Sequence, residues 1–466
     1  MTTRPIHAIL IGAGNRGADS YAPYALQHPQ ELRFVAVAEP DPVRRARFAS
    51  AHNIPIERQF SGWEELLDRP PLGEAALVCT QDWQHTAPAL AAMRAGYHVL
   101  LEKPMAPTEK ECRTLVKTSE ETGQQLHICH VLRYTAHGKK LSEILHSGQL
   151  GEIVDIDHRE NVSWWHMAHS FVRGAWRNAD QSNPMILAKC CHDLDFLPWI
   201  SGQTCVRLSS TGSLLEFKAD HAPAGAPKRC TDGCPVQASC IYYAPWLYME
   251  LVPFWRSFVA TGQGLPAALI RTYLKSPQLI RAASAVVPFL RQVTQYRGWP
   301  LGVLAEDPTP ENILHALQTG PYGRCVYACD NNVVDHQVVM MEFSGGASVT
   351  LTMHGHSHIE YRSTKVEGTR GRLMAELGNG GAWITVDDHR SGKRQRFNTS
   401  GPTGEGHGGG DAELMAGFVA SVRGQAAPLT PARESLASHL LAFAAETSRL
   451  KHSVVETSDF FPGKPA

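Results

Sequence analysis

A chain of 466 residues that is 43% hydrophobic and 19% charged is long enough for more than one core and too apolar to remain disordered. Lys and Arg number 44 against 45 Asp and Glu, and no stretch interleaves basic residues with aromatics, so a nucleic-acid surface is not expected. The N-terminus runs into an apolar strand pattern without the marks of a secretory signal, and no run of about 18 apolar residues follows, so the reading is a soluble, cytoplasmic protein without a membrane span.

The first predicted strand, Ala8 to Ile11, leads into Gly12-Ala13-Gly14-Asn15-Arg16-Gly17 and a helix-compatible stretch from Ala18 to Leu26. In a strand-turn-helix of this kind Gly12 permits the tight turn, Gly14 lets the backbone approach a pyrophosphate, and Gly17 allows close packing of helix on strand. A second strand, Phe34 to Ala38, ends at Glu39, 22 positions after Gly17, the spacing of an acidic residue that binds a ribose 2′-hydroxyl. A carboxylate there favours NAD over its 2′-phosphorylated form, while Arg44 and Arg45 keep NADP open as the lesser alternative. Further strand and helix units follow at Ala75 to Cys79, Pro88 to Ala95, Tyr97 to Leu101, Thr108 to Thr122 and Gln125 to Cys129, the pattern of a doubly wound parallel sheet.

The glycine turn, Glu39, the segment Thr80-Gln81-Asp82-Trp83-Gln84-His85 and the signature Glu102-Lys103-Pro104 resemble the Gfo/Idh/MocA oxidoreductases. The resemblance implies a Rossmann domain over residues 1–130. It also implies a C-terminal α/β domain, residues 131–466, with a large, mostly antiparallel sheet that roofs the nicotinamide and serves as a homodimer or homotetramer interface. Hydride transfer from a sugar, inositol or similar polyol is the implied activity. By this resemblance Asn15, Arg16, Thr80, Gln81, Trp83, His85 and Glu102 join the glycines, Glu39 and Lys103 as expected cofactor contacts. Lys103 corresponds to the family's catalytic lysine, placed after a strand's carboxyl end to take or relay the proton of the oxidised hydroxyl. A cis bond before Pro104 would turn it inward. The family's Asp-x3-His pair is altered: His192 is present, but Ala188 stands where the aspartate belongs, so Lys103, Lys189 and His192 form the expected acid-base set.

The segment Trp164 to Arg177, rich in aromatics, histidines and arginines, suits either carbohydrate contact or inter-domain packing. Tyr134, His166, His169, Arg173, Asp193 and His407 are the candidate substrate contacts. Cys230, Cys234 and Cys240 form a Cys-x3-Cys-x5-Cys cluster that fits structural zinc or, less well, an iron-sulfur cluster, against free thiols or a disulfide. Residues 215–325 read as a largely helical insertion. Strands at Val333 to Phe343, Ala347 to His354 and Ile384 to Val386 and a helix at Pro431 to Leu450 complete the chain. Three activities remain: an NAD-dependent dehydrogenase of a sugar or polyol; a redox-neutral glycoside hydrolase that uses tightly held NAD through a transient keto-sugar and elimination; and a regulatory dinucleotide sensor, which the retained Lys103 and His192 oppose.

Overall fold

The computed structural model describes residues 4–261, 264–287, 290–378, 381–401 and 406–460. Its first sheet has six strands: β1 (Ile6–Ile11), β2 (Leu32–Ala38), β3 (Gln59–Phe60), β4 (Ala75–Val78), β5 (His98–Leu101) and β6 (Leu126–Ile128). They lie in the order β3-β2-β1-β4-β5-β6, every neighbouring pair parallel. This is the doubly wound arrangement, whose strand order reverses beside β1 and β4, where ligands bind at the carboxyl ends. The continuous apolar run of β1 follows from burial on both faces: Ile6, Ala8 and Leu10 join one core, Ile9 and Ile11 the other.

The second sheet has nine strands: β7 (Ile153–Ser163), β8 (Cys205–Ser213), β9 (His336–Phe343), β10 (Ser348–Ser357), β11 (Tyr361–Gly368), β12 (Gly371–Gly378), β13 (Gly381–Asp388), β14 (Arg394–Asn398) and β15 (Val455–Glu456). Their order is β14-β13-β12-β11-β7-β10-β9-β8-β15, with β7 and β10 parallel and the other pairs antiparallel. The expected mostly antiparallel sheet is therefore present, and larger than the three predicted strands indicated. Alternating burial along β9 and β10 puts Val339, Met341, Val349, Leu351 and Met353 into the core beneath it.

Short helices from Ala244–Tyr248 to Pro310–Thr319 form a separate aromatic-rich core. The chain's end returns to the first sheet. The helix Gly410–Val422 lends Leu414, Met415, Phe418 and Val419 to one Rossmann core, and the helix Ala432–Lys451 packs near β6, where Ile128 N–H donates to the Thr430 carbonyl. Among the described residues no helix is long and apolar enough to cross a membrane.

Candidate active site

The glycine turn has the geometry its spacing predicts. Gly12 sits at φ +93°, and a Cβ there would lie 2.6 Å from the Cys79 carbonyl oxygen; at Gly17 it would lie 2.3 Å from the Gly12 oxygen. Gly14 differs, because a Cβ there would meet nothing within 4 Å: this glycine borders open space at the mouth of the turn. Past the end of β4, the Thr80 hydroxyl is buried without a hydrogen-bond partner among the described residues, an orphaned polar group of the kind a bound ligand satisfies. Glu39 stands at the end of β2 with its carboxylate accepting from Ala13 N–H at 2.7 Å and Asp41 N–H at 3.0 Å. Open turn, orphan hydroxyl and oriented carboxylate together fit a dinucleotide. The arginines that kept NADP open are engaged elsewhere: Arg44 pairs with Glu306, and Arg45 donates to the carbonyls of Glu39 and Pro40.

Several expected cofactor contacts hold the corner together instead. Arg16 does not face the turn's mouth: its guanidinium pairs with Glu102 at 2.6 Å and Asp411 at 2.8 Å and donates to the Tyr21 hydroxyl. Glu102 is correspondingly buried, accepting from Arg16, from Tyr21 O–H at 2.6 Å and from Lys103 N–H at 2.8 Å. His85 is fully buried, with ring nitrogens 2.7 Å from the Pro104 carbonyl and 3.2 Å from the Thr80 carbonyl, and so braces the loop that carries Lys103. Asn15 and Gln81 lie exposed at the mouth, as does Trp83.

Lys103 follows β5, and the bond to Pro104 is cis. Its ammonium reaches into the second domain and donates to the Ala188 carbonyl at 3.1 Å. Ala188 ends the short helix Met185–Ala188, and His192 lies in the first turn of the next, Cys191–Ser201, so one connected turn carries both His192 and the carbonyl that takes Lys103. The His192 ring stands 5.8 Å, edge-on, from His130, which burial keeps far below the ordinary histidine range and hence neutral. On the far side His439 accepts from Met105 N–H at 2.8 Å; burial pushes it down to about 3.

Lys189 does not join the acid-base pair. Burial would lower it, but Glu360 at 2.8 Å and Glu160 at 3.4 Å outweigh burial and hold the amine protonated, above the ordinary lysine value. Glu360 also takes His166 at 2.5 Å, and its contacts with His166 and Lys189 hold its carboxyl well below the usual range against the effect of burial. Arg362 completes the cluster, bridging Glu160 at 2.6 Å and Asp193 at 2.7 Å, while Asp193 also meets His158 at 2.9 Å. Asp193 is thus a buried structural carboxylate rather than a substrate contact.

The other predicted substrate contacts divide. His166 faces the Glu360 cluster and Trp299 from the helical segment, with ring centroids 5.0 Å apart. Tyr134 is core, its hydroxyl 3.2 Å from that of Thr430. His169 is buried and stacked on Tyr322 at 4.8 Å, and burial keeps it neutral. Arg173 is fully buried, donating to the carbonyls of Arg324 and Tyr242. The side chain of His407 lies outside the described residues. No three His, Cys, Asp or Glu side chains among the described residues gather as ligands of one ion, so Cys230, Cys234 and Cys240 do not form the expected metal knuckle; all are free thiols.

Sequence reading missed Glu160, Glu360, Arg362 and His130. Glu360 meets Lys189 only because β11 pairs with β7, with Tyr361 opposite Asn161, a juxtaposition no local motif announces.

Residues 6–130 match the model of the oxidoreductase family with NAD-binding Rossmann fold. An inositol 2-dehydrogenase of Leifsonia xyli is 29% identical over 49% of this chain and 61% of its own length. A glycosyl hydrolase family 109 protein of Saccharopolyspora erythraea is 29% identical over 47% of this chain and 50% of its own. The chain thus spans about half to three fifths of the lengths of these relatives. Over the whole chain, the crystal structure of an oxidoreductase domain protein from Kribbella flavida superposes with a TM-score of 0.66 at 15% identity, covering 98% of this chain and 100% of that one, so the two-domain fold is shared. The glycine turn, the Glu102-Lys103-Pro104 corner and the match across residues 6–130 agree: this N-terminal segment has the NAD-binding Rossmann fold of the Gfo/Idh/MocA oxidoreductase family model.

Proposed function

We propose that the protein is an NAD-dependent dehydrogenase of a sugar or polyol hydroxyl. The observation that carries the reading is the position of Lys103, at the carboxyl end of a central parallel strand, beside the open glycine turn, with its ammonium on the same turn that delivers His192. Gly12, Gly14, Glu39 and the orphan Thr80 hydroxyl would hold NAD, which when bound supplies the hydride acceptor. Lys103 takes the proton of the hydroxyl being oxidised, and His192, backed by the neutral His130, orients the carbinol. The Glu360–His166 pair and the Lys189 ammonium set a polar wall beyond it, suited to the hydroxyls of a polyol. The engagement of Arg44 and Arg45 supports NAD over NADP.

A second reading draws on the family 109 relative: glycoside cleavage without net redox, in which Lys103 and His192 serve oxidation and elimination on one sugar. One experiment separates the two. Purified protein is given NAD with free sugars, inositols and aryl glycosides, while absorbance of reduced nicotinamide and release of aglycone are followed together. Reduced cofactor accumulating with a free sugar or inositol, and lost in Lys103→Ala, supports the dehydrogenase. Aglycone release without reduced cofactor supports the hydrolase and overturns the first reading.

A further inference from the structure

Arg173 has no place in that chemistry, yet its burial demands an explanation. It leaves the segment Met167–Arg173 fully buried, with Nε on the Arg324 carbonyl at 2.7 Å and one Nη2 bond to the Tyr242 carbonyl at 2.7 Å. Its Nη1 finds no hydrogen-bond partner among the described residues, and Nη2 also donates to the Cys230 sulfur at 3.7 Å. A buried guanidinium held by neutral carbonyls is costly unless an anion accompanies it. The groups that act most strongly on its charge are the Tyr248 hydroxyl and the thiols of Cys230, Cys329 and Cys325. Burial drives Tyr248, Cys325 and Cys329 upward, and Cys230 is the sulfur that the guanidinium touches.

Cys230 is also one of four thiols, with Cys234, Cys240 and Cys325, that line a small cavity beside Arg173 with room for about one water. Cys240 and Cys325 are half-buried and open its rim to solvent. The cavity sits at the neck of the helical segment, where an antiparallel backbone bridge joins Arg229 to Arg324 and Cys325 N–H donates to the Lys228 carbonyl.

We propose that Cys230 is a reactive thiolate held by Arg173, and that this cavity is a site of reversible thiol oxidation by hydrogen peroxide. The sulfur attacks one peroxide oxygen, the O–O bond breaks, hydroxide leaves and takes up a proton, and Cys230 becomes a sulfenic acid. A second cavity thiol then attacks that sulfur, forms the S–S bond and releases water, so two thiols lose two electrons and the peroxide is reduced to two waters. The proposal is independent of the activity proposed above.

The test uses the full chain, reduced and desalted under nitrogen, pulsed with limiting iodoacetamide at neutral pH and mapped by peptide mass. Cys230 is expected to alkylate about tenfold faster than Cys234, Cys240 or Cys325, to fall to their rate in Arg173→Gln and to keep its advantage in Arg173→Lys. Peroxide is expected to yield a disulfide joining Cys230 to another cavity thiol, reversed by dithiothreitol and absent in Cys230→Ser. Cys230 labelling no faster than the core thiol Cys112, equal rates in wild type and a folded Arg173→Gln, or thiols blocked by a stoichiometric metal until a chelator is added would each overturn it. Should Arg173→Gln not fold, the wild-type ranking and the Cys230→Ser peroxide map decide.

Discussion

Two lysines meet the same turn of chain from opposite sides, and they are held in opposite ways. Lys103 enters from the Rossmann sheet and donates to a neutral acceptor, the Ala188 carbonyl, amid histidines that burial keeps uncharged. Lys189, one residue beyond Ala188, is clamped by Glu360 and Glu160 in a cluster that also takes in Arg362, Asp193 and His166. A group that must exchange a proton is best kept from a fixed counter-charge, whereas an ammonium between two carboxylates is stabilised in one state. The corner around Lys103 is therefore arranged for chemistry and the Lys189 cluster for rigidity, although the sequence placed both lysines in one acid-base set with His192.

The largest effect should fall on turnover. Lys103→Ala is expected to cut kcat by about 10²–10⁴-fold, the range for loss of a positioned acid-base group, while leaving NAD affinity and thermal stability nearly unchanged. Isothermal titration and steady-state rates on one preparation would show the split. A variant that unfolds, or turns over normally, would erase the distinction between the lysines. The mirror prediction concerns the cluster. Glu360→Gln leaves Lys189 and His166 without their shared carboxylate and should destabilise the protein by about 3 kcal/mol in urea unfolding, as removal of one partner of a buried pair does. Lys189→Met in the same background should recover part of that loss, because the two residues are coupled. Additive losses would show that the pair does not act as a unit.

The contrast also explains what the sequence could disclose. The corner was legible because its parts are contiguous: Gly12, Gly14 and Gly17 must be glycine for reasons of φ and close approach that spacing alone conveys, and Lys103 follows an apolar strand. The cluster was not, because its members come from β7, from the turn at Lys189 and from the approach to β11. The same charges hid the strand itself. Along β7 the buried positions include His158, Glu160, Asn161 and Ser163, so the apolar alternation that marks β9 and β10 is missing. Arg16, Glu102 and His85 show a subtler limit. Motif position put them beside the cofactor, but whether a side chain faces a ligand or braces the loop behind it depends on partners such as Asp411 and the Pro104 carbonyl, which only the fold supplies.

Acid should separate the two regions. His439, His127 and His137 are pushed down by burial to about 3, 4 and 4, and His130 and His169 lie well below the ordinary value. An unfolded chain takes up these protons as pH falls below about 6.5, before the folded chain does, so stability is full above that pH and falls steadily toward pH 4. Each such histidine contributes a slope of about 1.4 kcal/mol per pH unit in that window. The cluster carboxylate Glu360 is depressed instead, so its contribution persists until pH falls below the usual glutamate range. His439→Gln, which retains an acceptor for Met105 N–H, should flatten the dependence between pH 6 and 4.5 by about one proton. An unchanged slope would mean that His439 is not neutral in the fold.

The smallest predicted effect bears most directly on what makes a position functional. The Thr80 hydroxyl is buried at the mouth of the glycine turn with no hydrogen-bond partner among the described residues, so the folded chain gains nothing from it and carries the cost of its desolvation. Thr80→Val, which keeps the shape, should leave stability unchanged or raised by a fraction of a kcal/mol. If the hydroxyl is satisfied by NAD, the same variant should weaken NAD binding by about 1 kcal/mol, roughly fivefold, in a titration. Glu360→Gln should do the reverse, lowering stability while NAD affinity holds. A polar group that costs binding but not stability belongs to the ligand, and one that costs stability but not binding belongs to the scaffold. If Thr80→Val instead destabilises the chain and leaves NAD affinity intact, its hydroxyl has a partner within the protein and the corner is as closed as the cluster.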